Sequence, residues 1–98
     1  MHISSTTGII SAQGAPSPVA TAAIKQQVLR IISKRKAIRT SRLRVSSSLS
    51  RDLRFDTVDV VDIILELERS FHITVPDEVP FYTVGDFVRY VATHAHAA

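Results

Sequence analysis

Residues 56–71 constrain the fold more than any other stretch. Asp56 opens it, Val60, Ile64, Leu67 and Phe71 follow at spacings of four, three and four, and Asp59, Asp62, Glu66 and Arg69 fall between them. An apolar residue every three or four positions marks one face of an α-helix, and such a face must be buried against a partner element. Val61 and Leu65 flank the stripe, which predicts the three acids and Arg69 on the solvent side. Asp56 with Asp59 three residues later has the form of a capping box, with Asp56 as N-cap. Thr57 then stands in the first helical turn.

Two further segments supply what this helix packs on. Ile24, Val28, Ile31 and Ile32 form one face of a first helix starting near Ala20 and ending between Lys36 and Ile38. Thr83 and Asp86 make a second capping pair, after which Val84, Phe87, Val88 and Val91 give the inner face of a last helix ending near Thr93. His72 to Val75 should be extended ahead of Pro76, and Pro80 limits any helix after Asp77 to a single turn. Residues 39–55 form a long Ser- and Arg-rich loop that Leu43, Val45, Leu49, Leu53 and Phe55 are expected to pin to the core. Residues 1–18 hold Gly8, Gly14, Pro16 and Pro18 and lack a periodic apolar face. They are expected to be a disordered leader, with 19–93 the folded domain and 94–98 a frayed tail. The fold class is all-α.

Such a chain leaves roughly 80 residues to fold and buries only about 60% of its unfolded surface, which favours a binding module over an enzyme with a roomy cleft. No cysteine is present, so disulfides, thiolate nucleophiles and cysteine metal sites are excluded. Nothing resembles a secretory signal, a transit peptide or a membrane span, and residence in the cytoplasm is expected. The net charge of +3 conceals two opposed halves. Residues 25–54 carry ten basic side chains against Asp52, whereas residues 55–98 carry eight acidic ones against Arg69 and Arg89. The two surfaces must seek different partners, or each other.

The pattern resembles the acyl carrier protein family, the phosphopantetheine-binding fold, over about residues 20–93. The resemblance rests on Ile24-x-x-x-Val28-x-x-Ile31-Ile32, Asp52-Leu53 and Leu65-Glu66-Leu67-Glu68-x-x-Phe71. It continues through Ile73-x-Val75-Pro76-Asp77-Glu78 and Thr83-Val84-Gly85-Asp86-Phe87-Val88-x-Tyr90-Val91. It implies a small bundle of three main helices plus a short connector helix, four in all, with a long loop after the first. In the family an Asp-Ser-Leu motif carries 4′-phosphopantetheine on its serine; the matching triplet here is Asp56-Thr57-Val58. Other departures are Arg54 where glycine is common, Phe55 after it, Lys36 where leucine is usual, and a connector about two residues short.

By resemblance, Thr57 is the attachment residue, and Asp56, Asp59, Asp62 and Glu66 form the strip that basic patches on partner enzymes read. Those partners would be synthases or transferases of fatty-acid, polyketide or related biosynthesis, together with a phosphopantetheinyl transferase. Val61, Ile64 and Val88 would line an apolar interior able to shelter an acyl chain. The alternative is an unmodified relative serving as an interaction or regulatory scaffold. Lys34, Arg35, Lys36, Arg39, Arg42 and Arg44 form a basic second surface. Nucleic acid is not expected there, since residues 25–54 contain no aromatic residue to stack a base. No metal site is expected: His94 and His96 lie in a tail, and Asp56, Asp59 and Asp62 lack the ligand pattern of a calcium loop. Ser46, Ser47, Ser48 and Ser50 read as loop, where phosphorylation would offset the basic charge.

Overall fold

The computed structural model describes residues 18–95. Most of the expected leader and residues 96–98 of the expected tail lie outside them. Among the described residues there are three α-helices: α1 (Pro18–Lys36), α2 (Thr57–Phe71) and α3 (Val84–His94). The expected fourth helix is a single 3-10 turn, Thr40–Arg42, and it stands in the loop after α1. Asp77 and Glu78 instead form a turn closed by the Val79 amide donating to Pro76 O at 3.2 Å. Pro80 and the short span between Pro76 and Thr83 leave no room for an i→i−4 ladder there. At the other end α3 runs through His94, whose ring stacks on Tyr90 at 3.9 Å, so that residue belongs to the helix rather than to a tail.

Local chemistry stops the helices where it should. Pro18 occupies the first position of α1, where its missing N–H costs no helical bond. At the far end Ala37 turns left-handed (φ 57°) and the Ile38 amide reaches back to Ser33 O at 3.1 Å. His72 does the same for α2 (φ 56°), with Ile73 donating to Glu68 O at 3.2 Å. Both are Schellman-type endings built without glycine. Both capping boxes form as the sequence predicts, Asp56 with Asp59 and Thr83 with Asp86.

The core comprises Val28, Leu29 and Ile32 of α1, Ile63 and Leu67 of α2, and Val84, Phe87, Val88 and Val91 of α3. Leu43, Leu49, Leu53 and Phe55 of the loop join it, so the loop is pinned as expected. Two details differ. In α2 the fully buried residues are Ile63 and Leu67, with Val60, Ile64 and Phe71 half-buried beside them, while Val61 and Leu65 are 46% and 49% exposed. Val45 is also exposed, and its backbone does the pinning: Val45 O accepts the Gly85 amide at 2.8 Å, Ser47 O accepts Val84 at 3.1 Å, and Tyr82 O accepts Leu49 at 2.8 Å. Loop carbonyls thus satisfy amides in the first turn of α3 that have no intrahelical acceptor. Gly85 permits this approach, because a Cβ there would lie 2.9 Å from Val45 O.

Candidate functional site at the start of the second helix

Thr57 is the first residue of α2; it is exposed, and its hydroxyl makes no hydrogen bond within the described residues. Behind it the capping box closes on both sides: the Asp59 amide donates to Asp56 Oδ1 at 2.9 Å and the Asp56 amide donates to Asp59 Oδ2 at 3.1 Å. The first i→i−4 bond is Val60 to Asp56 O, so the amides of Thr57 and Val58 precede the helical ladder and present the positive end of the helix dipole. An exposed hydroxyl on a helix start with unfilled amides suits a phosphodiester. The neighbouring Val58 side chain is 63% exposed.

The acidic strip is not laid out as the sequence suggests. Asp59 and Asp62 turn toward α1, where Lys36 Nζ lies 2.9 Å from Asp59 Oδ2 and Arg35 pairs with Asp62. The Lys36 hydrogen bond, followed by the Asp56 amide, holds the Asp59 carboxyl below its ordinary value. Lys36 also sits 5.3 Å from the centroid of the buried Phe55 ring. The lysine at a leucine position and the bulky Phe55 therefore account for each other: the ammonium lies over the ring and also reaches the acid. Asp56 is occupied as N-cap, and Glu66 contacts Arg69 at 3.4 Å and Ser70 at 3.3 Å.

Besides Arg69 and Glu66, α2 presents apolar residues outward: Val58, Val61 and Leu65 recur at spacings of three and four and are all exposed. Val61 is thus on the surface and not in an apolar interior, Ile64 is half-buried, and Val88 is in the core. Leu65 also borders an open groove of about 610 Å³ between α1 and α2, where Arg30, Lys34, Arg35 and Arg69 outnumber Asp62 and Glu66.

Arg54, three residues before Thr57, is left-handed with φ 59°. It occupies the conformation that glycine adopts without cost, in the position where glycine was expected. Of the expected basic surface, Arg35 and Lys36 are consumed by α2, while Lys34, Arg39, Arg42 and Arg44 have no carboxylate partner among the described residues. No group of three or more metal-ligating side chains occurs among the described residues.

Known proteins are similar to this chain in sequence. The chain is 33% identical over 70 residues to the acyl carrier protein of Prochlorococcus marinus (strain MIT 9515), an overlap covering 69% of this chain and 88% of that one. It is 36% identical over 70 residues to the acyl carrier protein of Amoebophilus asiaticus (strain 5a2), with the same coverage. The chain belongs to the acyl carrier protein family. A third family member, from Rickettsia bellii (strain RML369-C), is 32% identical over 73 residues, covering 72% of this chain and 85% of that one. The carrier fold also appears in the solution structure of the apo doublet acyl carrier protein from prodigiosin biosynthesis, with a TM-score of 0.68 and 23% identity. That match covers 78% of this chain and 38% of the doublet. No family model matches the sequence. No described helix is long and apolar enough to cross a membrane.

Proposed function

We propose that the protein is a carrier domain that receives a 4′-phosphopantetheine arm on Thr57 and presents acyl groups to enzymes of fatty-acid, polyketide or related biosynthesis in the cytoplasm. One observation carries the reading. The Thr57 hydroxyl is exposed on the first residue of α2 and makes no hydrogen bond among the described residues, and the sequence resemblance aligns Thr57 with the family's attachment serine. When bound, the arm would supply a thiol for thioester formation. The chain's own part is to hold the attachment oxygen at a helix start whose free amides and dipole favour the phosphodiester charge. The β-methyl of Thr57 leaves that electrostatics intact and narrows approach to the oxygen, while its branched Cβ restricts χ1. Docking would use the exposed Val58, Val61 and Leu65 face, with Asp56 and Glu66 at its edge.

A second reading has its own observation. Lys36 and Arg35 neutralise Asp59 and Asp62 internally, which removes two charges from the strip that a basic enzyme patch would read. An unmodified interaction scaffold needs neither the arm nor that strip. Intact mass after co-expression with a broad-specificity phosphopantetheinyl transferase, and after incubation with extract of the native host, separates the two. The carrier reading expects one added phosphopantetheine, mapped to Thr57. Addition to a Thr57→Ser variant alone would pass the case to the scaffold.

A further inference from the structure

The charges left unpaired in the fold balance differently from those in the sequence. Of nine carboxylates, seven are engaged within the molecule. Asp59, Asp62, Glu66 and Asp86 pair with cations. Asp52, Asp56 and Glu68 accept the backbone amides of Ser48, Asp59 and Val75. Asp77 and Glu78, in the turn after Pro76, have no partner among the described residues. Of twelve Lys and Arg cations, four are paired and eight have no carboxylate partner among the described residues. Five of those eight, Arg39, Arg42, Arg44, Arg51 and Arg54, are exposed on the loop between α1 and α2.

That loop is a fixed platform, because Leu43, Leu49, Leu53 and Phe55 anchor it in the core and its backbone is bonded to residues 82–85. The junction with α3 carries two exposed apolar side chains, Val45 at 44% and Tyr82 at 71%. An exposed tyrosine and an aliphatic residue among unpaired arginines is the composition of a protein-binding surface, where Tyr and Arg supply most of the anchoring contacts. Nucleic acid fits less well: single-strand binders stack successive bases on several rings, and Tyr82 is the one Phe or Tyr ring largely exposed among the described residues. A second copy of the chain also fits poorly, since it would offer Asp77 and Glu78 against five arginines.

We propose that the long loop and its junction with α3 form a second docking surface for a carboxylate-rich protein partner that also presents apolar side chains to Tyr82 and Val45. This surface is opposite in charge to the acidic strip expected on α2 and does not depend on modification of Thr57.

The test uses the full chain, ¹⁵N-labelled, with three probes: a fluorescein-labelled peptide of repeating Glu-Glu-Leu triplets, polyglutamate, and a single-stranded oligonucleotide, all of matched net charge. The peptide is expected to shift amides in 39–54 and 82–85 and to lose affinity as salt rises. An Arg39→Glu, Arg42→Glu, Arg44→Glu variant should bind it roughly tenfold more weakly or worse, with far-UV circular dichroism unchanged. If that variant does not fold, Arg42→Gln with Arg44→Gln serves at a smaller loss. Tyr82→Ala should weaken the Glu-Glu-Leu peptide more than polyglutamate. The proposal is overturned by peptide shifts confined to α1 and α2, by unchanged affinity in the arginine variants, or by tenfold tighter binding of the oligonucleotide. It is equally overturned by salt-sensitive self-association that Asp77→Lys with Glu78→Lys abolishes.

Discussion

Lys36 Nζ and Asp59 Oδ2 meet at 2.9 Å across 23 residues of sequence, and the same oxygen accepts the Asp56 amide at 3.1 Å. A single carboxylate atom therefore serves both the cap of α2 and its attachment to α1. The start of the helix that bears Thr57 is held from two directions, at the expense of charge that would otherwise face a partner.

Freeing that charge should be measurable. In a Thr57→Ser background, Lys36→Gln with Arg35→Gln unmasks Asp59 and Asp62. Modification by a transferase whose docking face is basic should then accelerate about tenfold at low salt, through electrostatic steering. The gain should vanish at high salt. An unchanged low-salt rate would mean that the enzyme does not read these two acids.

Gly85→Ala should destabilise the fold by about 2 kcal/mol, since the new Cβ would press on backbone rather than on a yielding side chain. Urea unfolding should show a lower midpoint with an unchanged slope. Retained stability would show that the loop accommodates the methyl without losing its bonds to α3.

Ala37, Arg54 and His72 hold left-handed backbone that costs a residue with a Cβ about 1–2 kcal/mol. Replacement by glycine recovers most of that and gives part of it back as unfolded-state entropy. Each of Ala37→Gly, Arg54→Gly and His72→Gly should stabilise by about 0.5–1 kcal/mol, read from denaturation midpoints.

Ile63→Ala should cost about 3 kcal/mol, as for other buried aliphatic truncations, and Val61→Ala less than about 0.5 kcal/mol. Val61→Ala should instead weaken docking to partner enzymes. Equal losses of stability would reverse the facing of α2.

Asp59 and Asp86 give the acid limb of stability its direction. Partial burial pushes Asp86 up, but the Tyr82 and Thr83 amides and Arg89 outweigh it, leaving both carboxyls below the ordinary aspartate value. Groups depressed on folding stabilise fully above their unfolded value and lose that contribution as pH falls through the folded one. The stability difference between the native chain and Asp86→Asn should stay constant from neutral pH to about 5 and shrink below about pH 4. A difference that grows on acidification would contradict the sign.

The features legible in sequence were the local ones. Asp56 with Asp59 and Thr83 with Asp86 lie three residues apart, so their capping geometry follows from the chain alone. Val28, Ile32, Phe87 and Val91 took their expected places because α1 and α3 each carry a single apolar face. α2 carries two: Val60, Ile63, Ile64 and Leu67 on one side, Val58, Val61 and Leu65 on another. Which stripe turns inward is decided by α1, through Ile32 and the pairs Lys36 with Asp59 and Arg35 with Asp62. Those pairs span 23 and 27 residues, beyond any periodicity argument. The available signal was Lys36 itself, a cation at an inward-facing position ahead of a buried Phe55. The Arg35 and Lys36 side chains read as surface charge for the same reason.

The bonds from Val45 O, Ser47 O and the Leu49 amide to residues 82–85 also set an order of events during synthesis. A ribosome that has translated Thr57 has not yet made the residues that fasten the segment leading up to it. Until Gly85 has left the exit tunnel, Arg39 to Phe55 lack these bonds, and Thr57 emerges on an unfinished platform. Any enzyme that recognises the finished loop must wait for nearly the whole domain, whereas one that needs only the Asp56-Thr57-Val58 triplet can act on a growing chain.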